Sequence, residues 1–102
     1  GTMSLETATD QIRAQLPQLA ALGYKVKFAL NDTGVIFVDA TGTPPTLSNE
    51  DAEADCTIRL SEDRLTQLID GRLSPTLAYT LGQIKVEGSL GVAMKLASLL
   101  EG

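Results

Sequence analysis

Residues 88–91, Gly88-Ser89-Leu90-Gly91, stand at the start of an apolar helical pattern. A helix start offers free backbone N–H groups and the positive end of the helix dipole to a carboxylate or phosphate, so Ser89, Leu90 and Gly91 are candidate contacts for an anionic headgroup. No Lys-Ser or Lys-Thr pair follows, which separates the segment from a nucleotide-binding phosphate loop. Its plainer reading is a turn followed by a helix cap. Glu50, Asp51, Glu53 and Asp55 form an acidic cluster without the glycine and spacing of a calcium loop and without His or Cys companions. A solvated connection accounts for them. The chain has no histidine, which removes the commonest general base and most zinc sites. The lone Cys56 alternates with Asp55 and Thr57 and falls on the apolar side of a strand, as a small buried hydrophobe does. No Ser, Cys or Lys sits in a recognisable nucleophile motif. The residues point away from catalysis and call for no cofactor or metal.

The elements that would carry a binding site are legible from periodicity. Leu5, Ala8, Ile12, Leu16 and Leu19 recur at helical spacing up to a stop at Gly23, with Pro17 predicting a kink or a split into two short helices. Tyr24, Val26, Phe28 and Leu30 alternate with polar or small residues, and Asn31-Asp32-Thr33-Gly34 turns the chain into a second strand over 35–39. That second strand, Val35-Ile36-Phe37-Val38, is apolar on both faces, as in a strand near the sheet centre. A loop containing Pro44 and Pro45 leads to a short edge strand at Thr46-Leu47-Ser48, an acidic connection over 49–55 and a fourth strand at Cys56-Leu60.

Ser61 caps the next helix, with Leu65, Leu68 and Ile69 inward and Gly71 as its stop. Ser74-Pro75 starts a shorter one through Leu77, Ala78, Tyr79 and Leu81. A fifth strand carries Ile84 and Val86. Ser89 opens the last helix, whose polar or small positions Gly91, Lys95 and Ser98 form one narrow stripe. The remainder of that helix is apolar, more than one sheet face can cover. A lipid, a neighbouring helix or a second subunit could each supply the cover.

Three segments, Asp55-Cys56-Thr57-Ile58-Arg59-Leu60-Ser61 running into Glu62-Asp63, Leu68-Ile69-Asp70-Gly71-Arg72-Leu73-Ser74-Pro75, and Gly82 through Leu96, resemble in order and spacing a sterol-carrier-protein type 2 domain. The resemblance implies an α+β fold, a five-stranded sheet covered on one face by about four to five helices. It implies an apolar tunnel for a fatty acid, fatty acyl-CoA, phospholipid or sterol, and no catalytic residues. The candidate tunnel residues, all on inward faces by periodicity, are Phe28, Phe37, Leu65, Leu68, Ile69, Leu77, Leu81, Val86, Leu90, Met94 and Leu100. A packed core uses the same residue types, so pattern leaves wall and core open. A dry cavity of ~300 Å³ would cost on the order of 7 kcal/mol, so a tunnel must be filled or collapsed.

Composition bounds the partners. The 102 residues suit one domain, here 4–102, with Gly1-Thr2 before Met3 read as a vector remnant. Apolar residues make up 43% and charged residues 21%, which is ordinary for a soluble globular protein. A net charge of −5 argues against nucleic acid and limits membrane contact to a transient one. No stretch is long enough to span a bilayer, and the first residues show no basic start followed by an apolar run, so no secretory signal is expected in them. The terminal Leu100-Glu101-Gly102 is not a Ser-Lys-Leu peroxisomal address, and a single cysteine suits a reducing compartment, so the expected location is cytoplasmic. The expected function is non-catalytic lipid binding and possible transfer. The alternative is an interaction or accessory module that packs its apolar last helix on a homodimer mate or a partner enzyme.

Overall fold

The computed structural model describes residues 5–31 and 33–100. The reading of residues 1–3 as a remnant, and the part of Asp32 in the hairpin turn, lie outside the described residues. Alternation in β1 (Lys25–Leu30) sends Val26, Phe28 and Leu30 to one face of a sheet, and pairing repeats that choice in each neighbour. β2 (Gly34–Asp39) runs antiparallel to β1 with Val38 opposite Val26 and Ile36 opposite Phe28. β4 (Cys56–Leu60) runs parallel to β1 and sets Ile58 beside Phe28. β3 (Thr46–Ser48) edges β2, and β5 (Lys85–Gly88) edges β4 with Val86 opposite Ile58. The sheet is five-stranded and mixed, in the order β3-β2-β1-β4-β5.

Among the described residues five helices accompany it. The first pattern divides at Gln15 into α1 (Leu5–Ala14) and α2 (Leu16–Leu19), with Pro17 in the first turn of α2, where its missing N–H leaves no helical bond unmade. α3 (Glu62–Ile69), α4 (Pro75–Thr80) and α5 (Leu90–Leu100) each start on a serine whose hydroxyl accepts a backbone N–H. The bonds run from Arg64 to Ser61 at 3.2 Å, from Leu77 to Ser74 at 3.4 Å and from Val92 to Ser89 at 3.2 Å. Helical side chains Ala8, Ile12, Leu65, Leu68, Ala78 and Leu96 join Val26, Phe28, Ile36, Cys56 and Ile58 in one apolar core. This is the α+β architecture that the residue pattern and the resemblance imply. Among the described residues no helix is long and apolar enough to cross a membrane.

The opposite face carries Lys27, Phe37, Thr57, Arg59 and Glu87. The acidic segment 49–55, expected as a solvated connection, crosses it. Lys27 Nζ donates to Asp51 Oδ1 at 2.7 Å and to the Ala52 carbonyl at 3.1 Å, and its side chain is only 16% exposed. Asp55 is held at both ends of its backbone strand contact: its N–H donates to the Lys25 carbonyl and its carboxylate accepts from the Lys25 N–H at 3.0 Å. The acidic cluster thus straps the outer face, and no group of three or more ligating side chains forms a metal site among the described residues.

Candidate functional site

On the helical side of the sheet, between α4 and α5, lies a cleft of about 330 Å³. Its floor is laid by strand residues of the inner face: Phe28 from β1, Ile58 from β4, and Ile84 and Val86 from the approach to β5 and from β5. α3 adds Leu68, and α4 supplies Pro75, Thr76 and Tyr79. α5 forms the longest wall through Leu90, Ala93, Met94, Leu96, Ala97, Ser98 and Leu100. The cleft exists because α5 carries alanine at 93 and 97, one turn apart, between the larger Leu90, Met94 and Leu100. With bulkier residues there, α5 would fill the space over Ile58 and Val86.

Among the described residues the lining holds no Lys, Arg, Asp or Glu. Its polar residues are Thr76, Tyr79 and Ser98. Nothing in it can act as a strong acid or base, and an apolar molecule is the matching occupant. The volume lies at the small end of the roughly 300–1,000 Å³ of ligand pockets. The cleft is open rather than sealed: Leu90 is 46% and Met94 65% exposed at its edge.

The candidate residues divide by position. Phe28, Leu68, Val86, Leu90, Met94 and Leu100 line the cleft together. Leu65 is fully buried core, and Ile69 packs against that core from α3. Leu77 and Leu81, expected inward, are 54% and 61% exposed, because α4 is only six residues long and turns Pro75 and Ala78 inward instead. Phe37, also expected inward, lies on the outer face opposite Lys27 and Ser48; Ile36 and Val38 take the inner positions of β2. Of the headgroup candidates, Leu90 is at the cleft edge, while the Ser89 hydroxyl is engaged as the α5 cap and neither Ser89 nor Gly91 lines the cleft.

Ile58 and Ile84 were legible as inward strand residues; Thr76, Tyr79, Ala93 and Ala97 carried no comparable signal, since small or polar residues do not announce a pocket. Cys56 is buried on the inner face, and that burial, with Asp55 beside it, pushes its thiol up to about 11. It remains a protonated hydrophobe at neutral pH.

Residues 5–101 match the SCP-2 sterol transfer family. Bovine sterol carrier protein 2 is 40% identical over 58 residues, which are 57% of this chain and 11% of that protein. Bovine hydroxysteroid dehydrogenase-like protein 2 is 28% identical over 93 residues, 89% of this chain and 22% of that protein. The chain therefore spans between about a tenth and a quarter of these curated relatives. Among solved structures, apo sterol carrier protein 2 from Yarrowia lipolytica superposes with a TM-score of 0.76 at 21% identity, covering 93% of this chain and 88% of that one, which shows the common fold. With the match running from the first described helix through the last, this chain belongs to the SCP-2 sterol transfer family, whose members bind and transfer lipids.

Proposed function

We propose that this domain is a non-catalytic carrier that holds the apolar part of a lipid in the cleft between α4 and α5. The carrying observation is the cleft itself, about 330 Å³ of uncharged lining open beside α5. A fatty acid, fatty acyl-CoA, phospholipid or sterol is the class of ligand. Its hydrocarbon lies over Phe28, Ile58 and Val86, and any charged headgroup stays at the open edge, because ionised groups are not desolvated without a partner. A sixteen-carbon chain gains roughly 10 kcal/mol of gross burial at about 0.8 kcal/mol per methylene, less the cost of ordering it. Exchange requires loosening of the short α4, the wall with the least helical reinforcement. We assign the domain, one unit over 4–102, to a reducing compartment such as the cytoplasm; the unpaired Cys56 supports this.

Native mass spectrometry of freshly purified protein, followed by organic extraction, tests the reading. A lipid at one per chain, and recovery of binding when delipidated protein is titrated with a fluorescent fatty acid, is the expected result. Failure of delipidated protein to bind fatty acids, acyl-CoA, phospholipid or sterol would sink it and leave the apolar edge to a protein partner.

A further inference from the structure

We propose that Thr76, Tyr79 and Ser98 form a headgroup subsite at the mouth of the cleft, and that it takes the hydroxyl or ester oxygen of an uncharged lipid such as a long-chain alcohol or monoacylglycerol. The proposal rests on the carrier reading and narrows it to one class of headgroup. The residues of the cleft separate by depth. Phe28, Ile58, Leu68 and Ala93 are buried and apolar, so the alkyl chain belongs over them. On α5 the exposed edge is one stripe with a spacing of four, Leu90, Met94 and Ser98. On α4 the exposed lining residues are Thr76 and Tyr79, three apart and therefore on one side of their helix. The polar residues of the lining thus all stand at the open edge, and the floor is apolar. Among the described residues none of the three hydroxyls has a protein partner. Each can donate and accept, which suits the hydroxyl of an alcohol and the carbonyl of an ester.

Charge separates this class from the anionic lipids. The chain has eight cationic side chains, and none of them lines the cleft. Arg13, Lys27, Arg59 and Arg72 are paired with Asp10, Asp51, Glu87 and Asp70. Lys25 and Lys85 share the outer sheet face with Lys27 and Arg59, as alternation along β1 and the pairing of Lys85 with Arg59 require. Lys95 lies over the Tyr24 ring, 5.6 Å from its centre, and stands two residues from Ala97, on the opposite side of α5. The remaining cation, Arg64, belongs to α3, from which Leu68 alone lines the cleft. A carboxylate or phosphate at the mouth would therefore meet hydroxyls without a countercharge, on a protein that carries −5. Hydroxyls alone do not offset the hydration that an anion gives up there, whereas an alcohol or ester gives up little.

Isothermal titration calorimetry of delipidated protein with decanol and with decanoate, at neutral pH, tests this. Decanol is expected to bind at least about tenfold more tightly than decanoate. The variant carrying Thr76→Val, Tyr79→Phe and Ser98→Ala together removes the hydroxyls at nearly constant shape. It should weaken decanol binding by at least about fivefold, the worth of roughly one net hydrogen bond. Ser98→Lys supplies the missing countercharge and should strengthen decanoate binding by about fivefold or more, whereas the uncharged Ser98→Gln should not. All three positions are exposed, so unchanged far-UV circular dichroism and melting temperature certify the fold. Decanoate binding to the parent as tightly as decanol overturns the proposal. So does an unchanged decanol affinity in the triple variant, or an equal effect of Ser98→Lys and Ser98→Gln on decanoate; each of these leaves the carrier reading in place. If neither ligand binds, the carrier reading falls and the headgroup assignment falls with it.

Discussion

A Cβ placed on Gly88 would stand 2.5 Å from the carbonyl oxygen of Asp55, and the residue's φ is +88°. Both facts follow from one arrangement. The last residue of β5 lies directly against the first residue of β4, and the next amide, Ser89 N–H, donates to that same Asp55 carbonyl at 2.9 Å. The contact fixes where α5 leaves the sheet and therefore how far its alanines stand above the cleft floor.

Gly88→Ala is expected to destabilise the domain by about 2 kcal/mol or more, since the backbone conformation and the backbone contact both oppose a side chain. In a domain of this size that corresponds to a melting temperature lower by roughly 10 °C. Thermal unfolding followed by circular dichroism measures it. A decrease of less than about 2 °C would mean that β5 can shift without cost and that α5 is not pinned here.

Filling the cleft should abolish lipid binding without unfolding the protein. Ala97→Trp places an indole where the acyl chain is proposed to lie, and an affinity loss of at least tenfold for a fluorescent fatty acid is expected, more than about 1.4 kcal/mol. Phe37→Leu, on the outer face, changes the same affinity by less than twofold although it removes contact area. If the two variants behave alike in titration, the ligand does not sit between α4 and α5.

The strap over the outer face carries a pH dependence. The hydrogen bond from Lys27, and then its charge, hold the Asp51 carboxyl below the usual carboxylate range. A carboxyl whose folded value is depressed contributes stability above its unfolded value and loses it as pH falls through the folded value. Melting temperature should therefore decline below about pH 4, and Asp51→Asn should decline less steeply over that window. The same variant leaves the mostly covered Lys27 ammonium without its carboxylate, so it is less stable than the parent at pH 7. Lys27→Met removes the need for a partner and is expected to be tolerated better than Asp51→Asn. Stability of Asp51→Asn equal to the parent at pH 7 would show that this ion pair contributes nothing.

Cys56 should resist chemistry while folded. Burial, followed by the charge of Asp55, raises its thiol to about 11. Relative to an ordinary cysteine near 8.5, the thiolate at pH 8 is lower by more than about a hundredfold, and the side chain is enclosed as well. Alkylation by iodoacetamide, followed by mass spectrometry, should proceed more than a hundred times faster in denaturant than in buffer. Because the folded value is raised, the unfolded chain deprotonates first, so this group's contribution to stability is complete below about pH 8.5 and falls as pH rises beyond it. Rapid labelling of native protein would place Cys56 off the inner face.

Much of the fold was readable because its elements obey a single period. β1 alternates, β4 alternates, and the serines at 61, 74 and 89 each precede a helical run, so local physics alone names the element and its start. The pieces of the cleft were less readable. Val35-Ile36-Phe37-Val38 is apolar at every position, so a period of two cannot say which pair faces inward; only the register that sets Ile36 against Phe28 puts Phe37 outside. Leu77 and Leu81 have helical spacing, yet a helix of six residues buries one side only, and docking against the sheet chose Pro75 and Ala78. The cleft itself rests on Ala93 and Ala97, whose smallness becomes space only when α5 lies across Ile58 and Val86. Periodicity reports which side of an element avoids water. Whether two such sides meet in contact or stand apart around a lipid depends on distances between elements, and those arise only when the chain has folded.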